Sequence, residues 1–279
     1  MIQDFTLHTH TLGFDGKNHI TEMIERATEC GMRTVGISNH LIVHPYVTQS
    51  AFYPHAIFGG YSRIYNKTFN DALSEFRPHY DVLDMIAWNY SQKNITVLRG
   101  MELDLFDNRD WRNGYKNMRR VLNPDYIIGA CHLIEYGGRL CNIHDIKNAP
   151  ADDQDKMLAA YWRKVQWIAK SGLCTFLAHI DLPSRLGLGG DEKWIDAEQK
   201  TTDIIAQAKI PVEINTALYK YGTHPHPSPR IMKMCADKQI PMFLSDDAHH
   251  ISHVCKYFTE AKAYADSFGV KLVGLNKVL

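Results

Sequence analysis

Short apolar runs alternate with longer amphipathic segments along nearly the whole chain. Residues 2–7, 34–37, 95–101, 126–130, 174–178, 211–214 and 241–244 read as strands, with a short tail strand near 270–273. Between them, helices are expected over 20–30, about 62–90, about 110–121, 152–171, 194–208, 227–238 (a loop and helix) and 252–268. Strand–helix alternation of this kind implies parallel βαβ units. Seven strands, with an eighth in the tail, predict a closed or distorted (β/α) barrel rather than an open sheet. No G-x-G-x-x-G follows the first strand, so a dinucleotide-binding fold loses support. No repeat, low-complexity tract or linker interrupts the pattern, and α/β barrels reach 279 residues as one unit. The expectation is a single domain over 1–279.

Composition narrows the function. Lys+Arg and Asp+Glu are both 31, and this zero net charge argues against a nucleic-acid surface or an anionic-membrane anchor. The opening MIQDFTLHTH has no basic or long apolar stretch, so no signal peptide is expected. No run of apolar residues is long enough to span a bilayer. The six cysteines are scattered without a C-x-x-C, so a reduced, cytoplasmic protein is expected. Histidine is the outlying residue: there are 15, against 14 tyrosines and 11 phenylalanines. It is also the commonest metal ligand.

Each expected strand delivers a histidine or a carboxylate at its C-terminal end. The ends are His8-Thr9-His10, Asn39-His40, Glu102-Leu103-Asp104, Cys131-His132, Ala178-His179, Glu213-Ile214-Asn215 and Asp246-Asp247-Ala248-His249. In a barrel these ends form one rim, where active sites sit. Residues i and i+2 of a strand point the same way, so His8 and His10 can share an ion, as can Asp247 and His249. Taken singly, each of these residues has an ordinary reading as a solvated or locally bonded side chain. Together they exceed the four ligands of one zinc. A carboxylate such as Glu102 can bridge two ions, so two or three divalent metals are expected. Nitrogen and oxygen donors without thiolate suit Zn, Mn or Fe. Paired metals polarise a phosphoryl oxygen and activate a bridging water, which fits phosphoester hydrolysis and also C–N hydrolysis.

The ordered set H-x-H, D-G, H, G-x-E, H, H, D-x-H, running from His8 to His249, resembles the PHP (polymerase and histidinol phosphatase) family. The resemblance implies a distorted (β/α)7 TIM-like barrel with a trinuclear metal site. It implies one ion on His8, His10, Glu102 and Asp247, a second on Glu102, His132 and His179, and a third on Asp15, His40 and His249. Asp246 is then a supporting group beside the ligand Asp247. The stretch Glu213-Ile214-Asn215-Thr216 with Pro227-Ser228-Pro229 is similar to the histidinol-phosphatase branch, with Lys220 where that branch often has arginine. Lysine holds phosphate as a point charge, not bidentately. Arg185 is the expected guanidinium for the substrate phosphate, with Lys220 and Asn215 beside it.

The resulting expectation is a metal-dependent phosphomonoesterase acting on a small-molecule phosphate ester, with L-histidinol phosphate leading. A metal-bridged hydroxide attacks phosphorus in line, Arg185 stabilises the equatorial oxygens, and Asp15, His249 or a bound water protonates the leaving alkoxide. The alternatives are the same chemistry on a nucleotide, cyclic phosphodiester or phosphotyrosine, or a metal-binding domain without turnover. His224 and His226 read as a surface loop, His250 and His253 as solvated starts of the last helix, and His44 and His55 as lid candidates. The sequence leaves the oligomeric state open.

Overall fold

The structure, a computed structural model, describes residues 2–43 and 68–279. Eight helices and eleven strands fall within them. The first half comprises β1 (Phe5–Thr6), α1 (Ile20–Glu29), β2 (Thr34–Ile37), β3 (His40–Leu41), α2 (Phe69–Ser91), β4 (Thr96–Arg99), β5 (Glu102–Asp104) and α3 (Arg109–Leu122). The second comprises β6 (Ile128–Ala130), β7 (Leu133–Tyr136), β8 (Arg139–Asn142), α4 (Ile143–Asn148), α5 (Ala151–Ser171), β9 (Phe176–Leu177), α6 (Ile195–Ala208), β10 (Val212–Asn215), α7 (Pro229–Asp237), β11 (Met242–Ser245) and α8 (Phe258–Ser267).

The helices begin and end where local chemistry dictates. Thr68 caps α2 by accepting from Asp71 N at 3.1 Å, while Asp71 returns the bond to Thr68 N at 2.9 Å. α5 stops at Gly172, whose φ of 65° is open to glycine at no steric cost. Asn123 (φ 46°) ends α3 just before Pro124.

The parallel α/β architecture is as expected, but among the described residues no sheet closes on itself. The parallel strands form two sheets, β1-β2-β4 and β11-β10-β9-β6-β5-β3. The expected strand 95–101 is present as β4, which pairs in the first sheet, and the residues just after it form a separate strand, β5, in the second. Gly100 lies between them, its carbonyl accepting from Tyr80 Oη at 2.8 Å. A Cβ at Gly36 or Gly100 would collide with the Tyr126 ring, whose hydroxyl donates to Leu7 O at 2.5 Å.

Other elements departed from expectation. The antiparallel hairpin β7–β8 and helix α4 were not anticipated. Gly137 and Gly138, with φ of 57° and 73°, make the turn, and that dipeptide between apolar runs was the missed signal. The last helix starts at Phe258 rather than 252, because Cys255 and Tyr257 take positive φ and cannot continue a helix. The tail near 270–273 contributes only an isolated bridge, Met242 to Leu272.

The main core lies between helices and sheets. A smaller cluster draws on strand residues of both sheets, Phe5, Ile128, Phe176 and Phe243, with Leu7 just beyond β1. Phe176 meets Phe243 edge-on at 4.9 Å. No helix among the described residues is long and apolar enough to cross a membrane.

Candidate metal centre

The strand ends place the polar residues. Beyond β1 the chain stays extended: His10 N donates to Ala248 O at 2.9 Å and Ala248 N to His8 O at 3.1 Å. His8 and His10 therefore face the same side, with ring centroids 5.1 Å apart. Parallel register pairs His40 with Glu102 across β3 and β5. His132 follows β6, His179 follows β9 and Asp247 follows β11. His179 (φ 22°) and Asp247 (φ 48°) adopt backbone that side-chain-bearing residues rarely take. Asp15 arrives on a turn that packs against His10, where a Cβ on Gly16 would strike the His10 carbonyl group.

Three sets of donor atoms result, each within 4.8 Å of one another. The first is His8, His10, Glu102 and Asp247. Glu102 Oε2 lies 3.0 Å from His8 Nε2 and 3.4 Å from His10 Nε2, and Asp247 Oδ1 lies 3.2 Å from His10 Nε2. The second is Glu102 with His40 and His132, the latter 3.4 Å from Oε1. His179 Nε2 approaches the same Oε1 to 3.1 Å. The third is Asp15 with His10, His40 and His249. Asp15 Oδ2 is 2.7 Å from His249 Nε2 and 3.4 Å from His40 Nε2. The first set is the one the resemblance implies, the third adds His10 to the implied Asp15, His40 and His249, and the second has His40 where His179 was implied.

The electrostatics are those of a cation site. Burial opposes charge on Glu102, yet His40, His8 and His132 hold its carboxyl well below the usual range. Asp247 is held low likewise, burial being outweighed by His8, His10 and His249. Burial lowers His40, but Glu102 and Asp15 outweigh it and raise the ring to about 9. His8, His10 (both ring nitrogens), Asp15, Glu102, His179 and Asp247 each keep a buried nitrogen or oxygen without a hydrogen-bond partner. Buried polar atoms without partners cost free energy unless a ligand satisfies them. Imidazoles and carboxylates converging with free lone pairs fit divalent ions, and the absence of thiolate fits Zn, Mn or Fe.

A supporting layer fixes the ring orientations; the sequence alone places Asp246 beside Asp247 and Asn215 at the substrate, and gives Glu213, Asp104 and Lys164 no role in it. Glu213 Oε2 is 2.8 Å from His8 Nδ1, and Glu213 Oε1 accepts from Asn215 Nδ2 at 2.7 Å and His179 N at 3.1 Å. Asp104 Oδ2 is 2.7 Å from His132 Nδ1, and Lys164 donates to Asp104 Oδ1 at 3.0 Å. Such carboxylate–histidine pairs set tautomer and basicity in metal sites. Asp246 accepts from Thr6 Oγ1 at 3.1 Å and Cys255 N at 2.6 Å, and burial pushes it up to about 7. It braces the Asp247 loop.

A cleft of about 690 Å³ opens beside Asp15, Asp247 and His249. Arg185 and Lys220 line it, as do Lys17 and Lys256, which the sequence did not single out. Among the described residues none of these cations pairs with a carboxylate. Arg185 instead donates to Tyr221 Oη at 2.7 Å and lies 4.2 Å over its ring. Asn215 is fully buried beneath the cleft, bound to Glu213 and to Ala217 N. His250 and His253 line the cleft, capping and ending a short 3-10 turn ahead of α8 rather than opening α8 itself. His226 is not on a surface loop: it is 3% exposed and sits 2.6 Å from Asp181 Oδ1. His44 and His55 lie outside the described residues.

Comparison with known proteins bears on the family and the fold. Residues 4–217 match the family model described as PHP domain. A Deinococcus radiodurans protein named "Probable histidinol-phosphatase" is 28% identical over 172 residues, spanning 60% of this chain and 63% of that relative's length. The solved histidinol phosphate phosphatase (HISK) of Lactococcus lactis, complexed with zinc, L-histidinol and phosphate, has a TM-score of 0.67. It is 13% identical, over 98% of this chain and 96% of the other, so the likeness is one of fold.

Proposed function

The chain belongs to the PHP domain family, and from that premise we propose that it is a metal-dependent phosphomonoesterase with L-histidinol phosphate as its leading substrate. The observation that carries this reading is the convergence of buried imidazole and carboxylate atoms without hydrogen-bond partners beside a cleft lined by cations that pair with no carboxylate, both among the described residues. The names and the zinc, L-histidinol and phosphate of the relatives point to the same substrate class.

In this reading His8, His10, Asp15, His40, Glu102, His132, His179, Asp247 and His249 hold two or three divalent ions, Zn, Mn or Fe. Bound there, the ions supply Lewis-acid activation of water and neutralise charge on the phosphoryl group. The protein's own groups do the rest. Arg185, oriented by Tyr221, and Lys220 bind the non-bridging phosphate oxygens and stabilise the charge that builds there. Whichever of Asp15 and His249, 2.7 Å apart, is not held by an ion, or a bound water, hands a proton to the departing alkoxide. Asn215 acts through Glu213 rather than on substrate.

The fold reading extends accordingly. The paired sheet order, the Thr9–Ala248 bridge between the β1 and β11 ends, and the shared inner cluster support one distorted (β/α)7 barrel over the whole chain. The test of function is substrate selection. Metal-loaded protein should release phosphate from L-histidinol phosphate in preference to a nucleotide, phosphotyrosine or an aryl phosphodiester. Turnover of another ester alone would overturn the substrate and keep the chemistry.

A further inference from the structure

The cluster and the cleft cations account for a phosphate, but not for the organic half of the ester. Among the described residues lining the cleft, the apolar surface comes mainly from Ala217 and the tyrosines Tyr219, Tyr221 and Tyr257. Tyr221 is already engaged, with Arg185 4.2 Å and Lys220 5.4 Å over its ring. Tyr257 also has a cation on its ring, Lys256 at 4.8 Å, and packs against Tyr219. Both are half-buried, and their rings pack 5.1 Å apart at 45°. Tyr219 lies in the turn after β10, and Tyr257 on the segment leading from β11 into α8.

The backbone at Tyr257 is left-handed, φ 66° and ψ 16°. Glycine takes that conformation freely, whereas a residue with a ring is strained in it. Cys255, two residues earlier, is also left-handed at φ 55°, held by its N–H to Asp246 Oδ2 at 2.6 Å. On the other side Phe258 is buried in the core. The segment is thus pinned at both ends, and an aromatic ring stands at the cleft where glycine would fold more easily. Strain kept beside a reaction site points to use of the group that carries it.

We infer that Tyr219 and Tyr257 form the specificity wall of the cleft, packing against a planar ring on the leaving alcohol. The inference rests on the phosphomonoesterase reading and adds to it which part of the protein selects the alcohol. The imidazole of L-histidinol phosphate meets the requirement, and an ester without a ring does not.

The test is the ratio of kcat/KM for L-histidinol phosphate to that for O-phosphoethanolamine. The second ester keeps the ammonium and the phosphomonoester and lacks the imidazole. Tyr257→Gly should lower the ratio roughly tenfold, chiefly through KM for the ring-bearing ester. Its melting midpoint should hold or rise, because glycine relieves the left-handed backbone. Tyr257→Phe should restore the ratio. Tyr219→Leu should lower it from a position without that strain. An unchanged ratio in both Tyr257→Gly and Tyr219→Leu overturns the inference and leaves the phosphatase reading intact. A lowered midpoint in Tyr257→Gly makes the ring a structural group and also overturns it. Wild-type protein that releases phosphate from neither ester overturns the reading and the inference together.

Discussion

Glu213 Oε2 sits 2.8 Å from Nδ1 of His8, the ring nitrogen opposite the one that faces Glu102. That contact fixes which lone pair His8 presents to the cluster. Glu213→Gln should therefore weaken metal binding by roughly 10–100-fold without unfolding the protein. Competition against a zinc-sensing chelator measures it. Equal affinity in the two proteins would show that Glu213 does not orient the ligand.

Gly36 faces the ring of Tyr126, which is fully enclosed between β2, β4 and β6. Gly36→Ala forces a methyl group into that ring and should cost about 1–3 kcal/mol, the usual scale of overpacking. Urea unfolding reads this directly. A midpoint like that of the wild type would mean that the strands move apart without penalty.

Burial pushes the Tyr126 phenol well above its ordinary value, and that of Tyr161 likewise. The sign follows from linkage. A phenol whose pKa is higher folded than unfolded adds stability that is complete below the unfolded value of about 10 and is lost as pH rises beyond it. Alkaline unfolding should accompany the appearance of tyrosinate absorbance above about pH 10. Tyrosinate that titrates fully while the fold persists would contradict the burial of these rings.

The candidate ligand cluster was legible in the sequence for a topological reason. Parallel strands bring their C-terminal ends to one edge, so His8, His132, His179 and Asp247 could be grouped without coordinates. Their partners were not legible as partners. Asp104 reaches His132 from the neighbouring strand, and Glu213 on β10 reaches His8 past the intervening β11, and both depend on register. Lys164 comes from α5 to Asp104, a contact between elements far apart in the chain. The alternation of strands and helices gave the α/β class. It did not show where one strand ends and the next begins, since β4 and β5 part at Gly100, whose carbonyl is tied to Tyr80. The hairpin turned by Gly137 and Gly138 was visible and passed over.

Ions bound to the cluster satisfy buried atoms that otherwise lack partners, so metal and stability are linked. Removing metal with a chelator should lower the melting midpoint. Restoring it at about 100 times its dissociation constant should return about 2.7 kcal/mol. Calorimetry with and without Zn, Mn or Fe tests this. Identical melting curves would leave the cluster without a resident ion.

The most direct test of the account is phosphate release from L-histidinol phosphate by chelated protein reconstituted separately with Zn, Mn and Fe, beside Asp247→Ala. The account predicts release that depends on added metal and vanishes in the variant. Release that persists in the chelated protein, or that survives in Asp247→Ala, would contradict it.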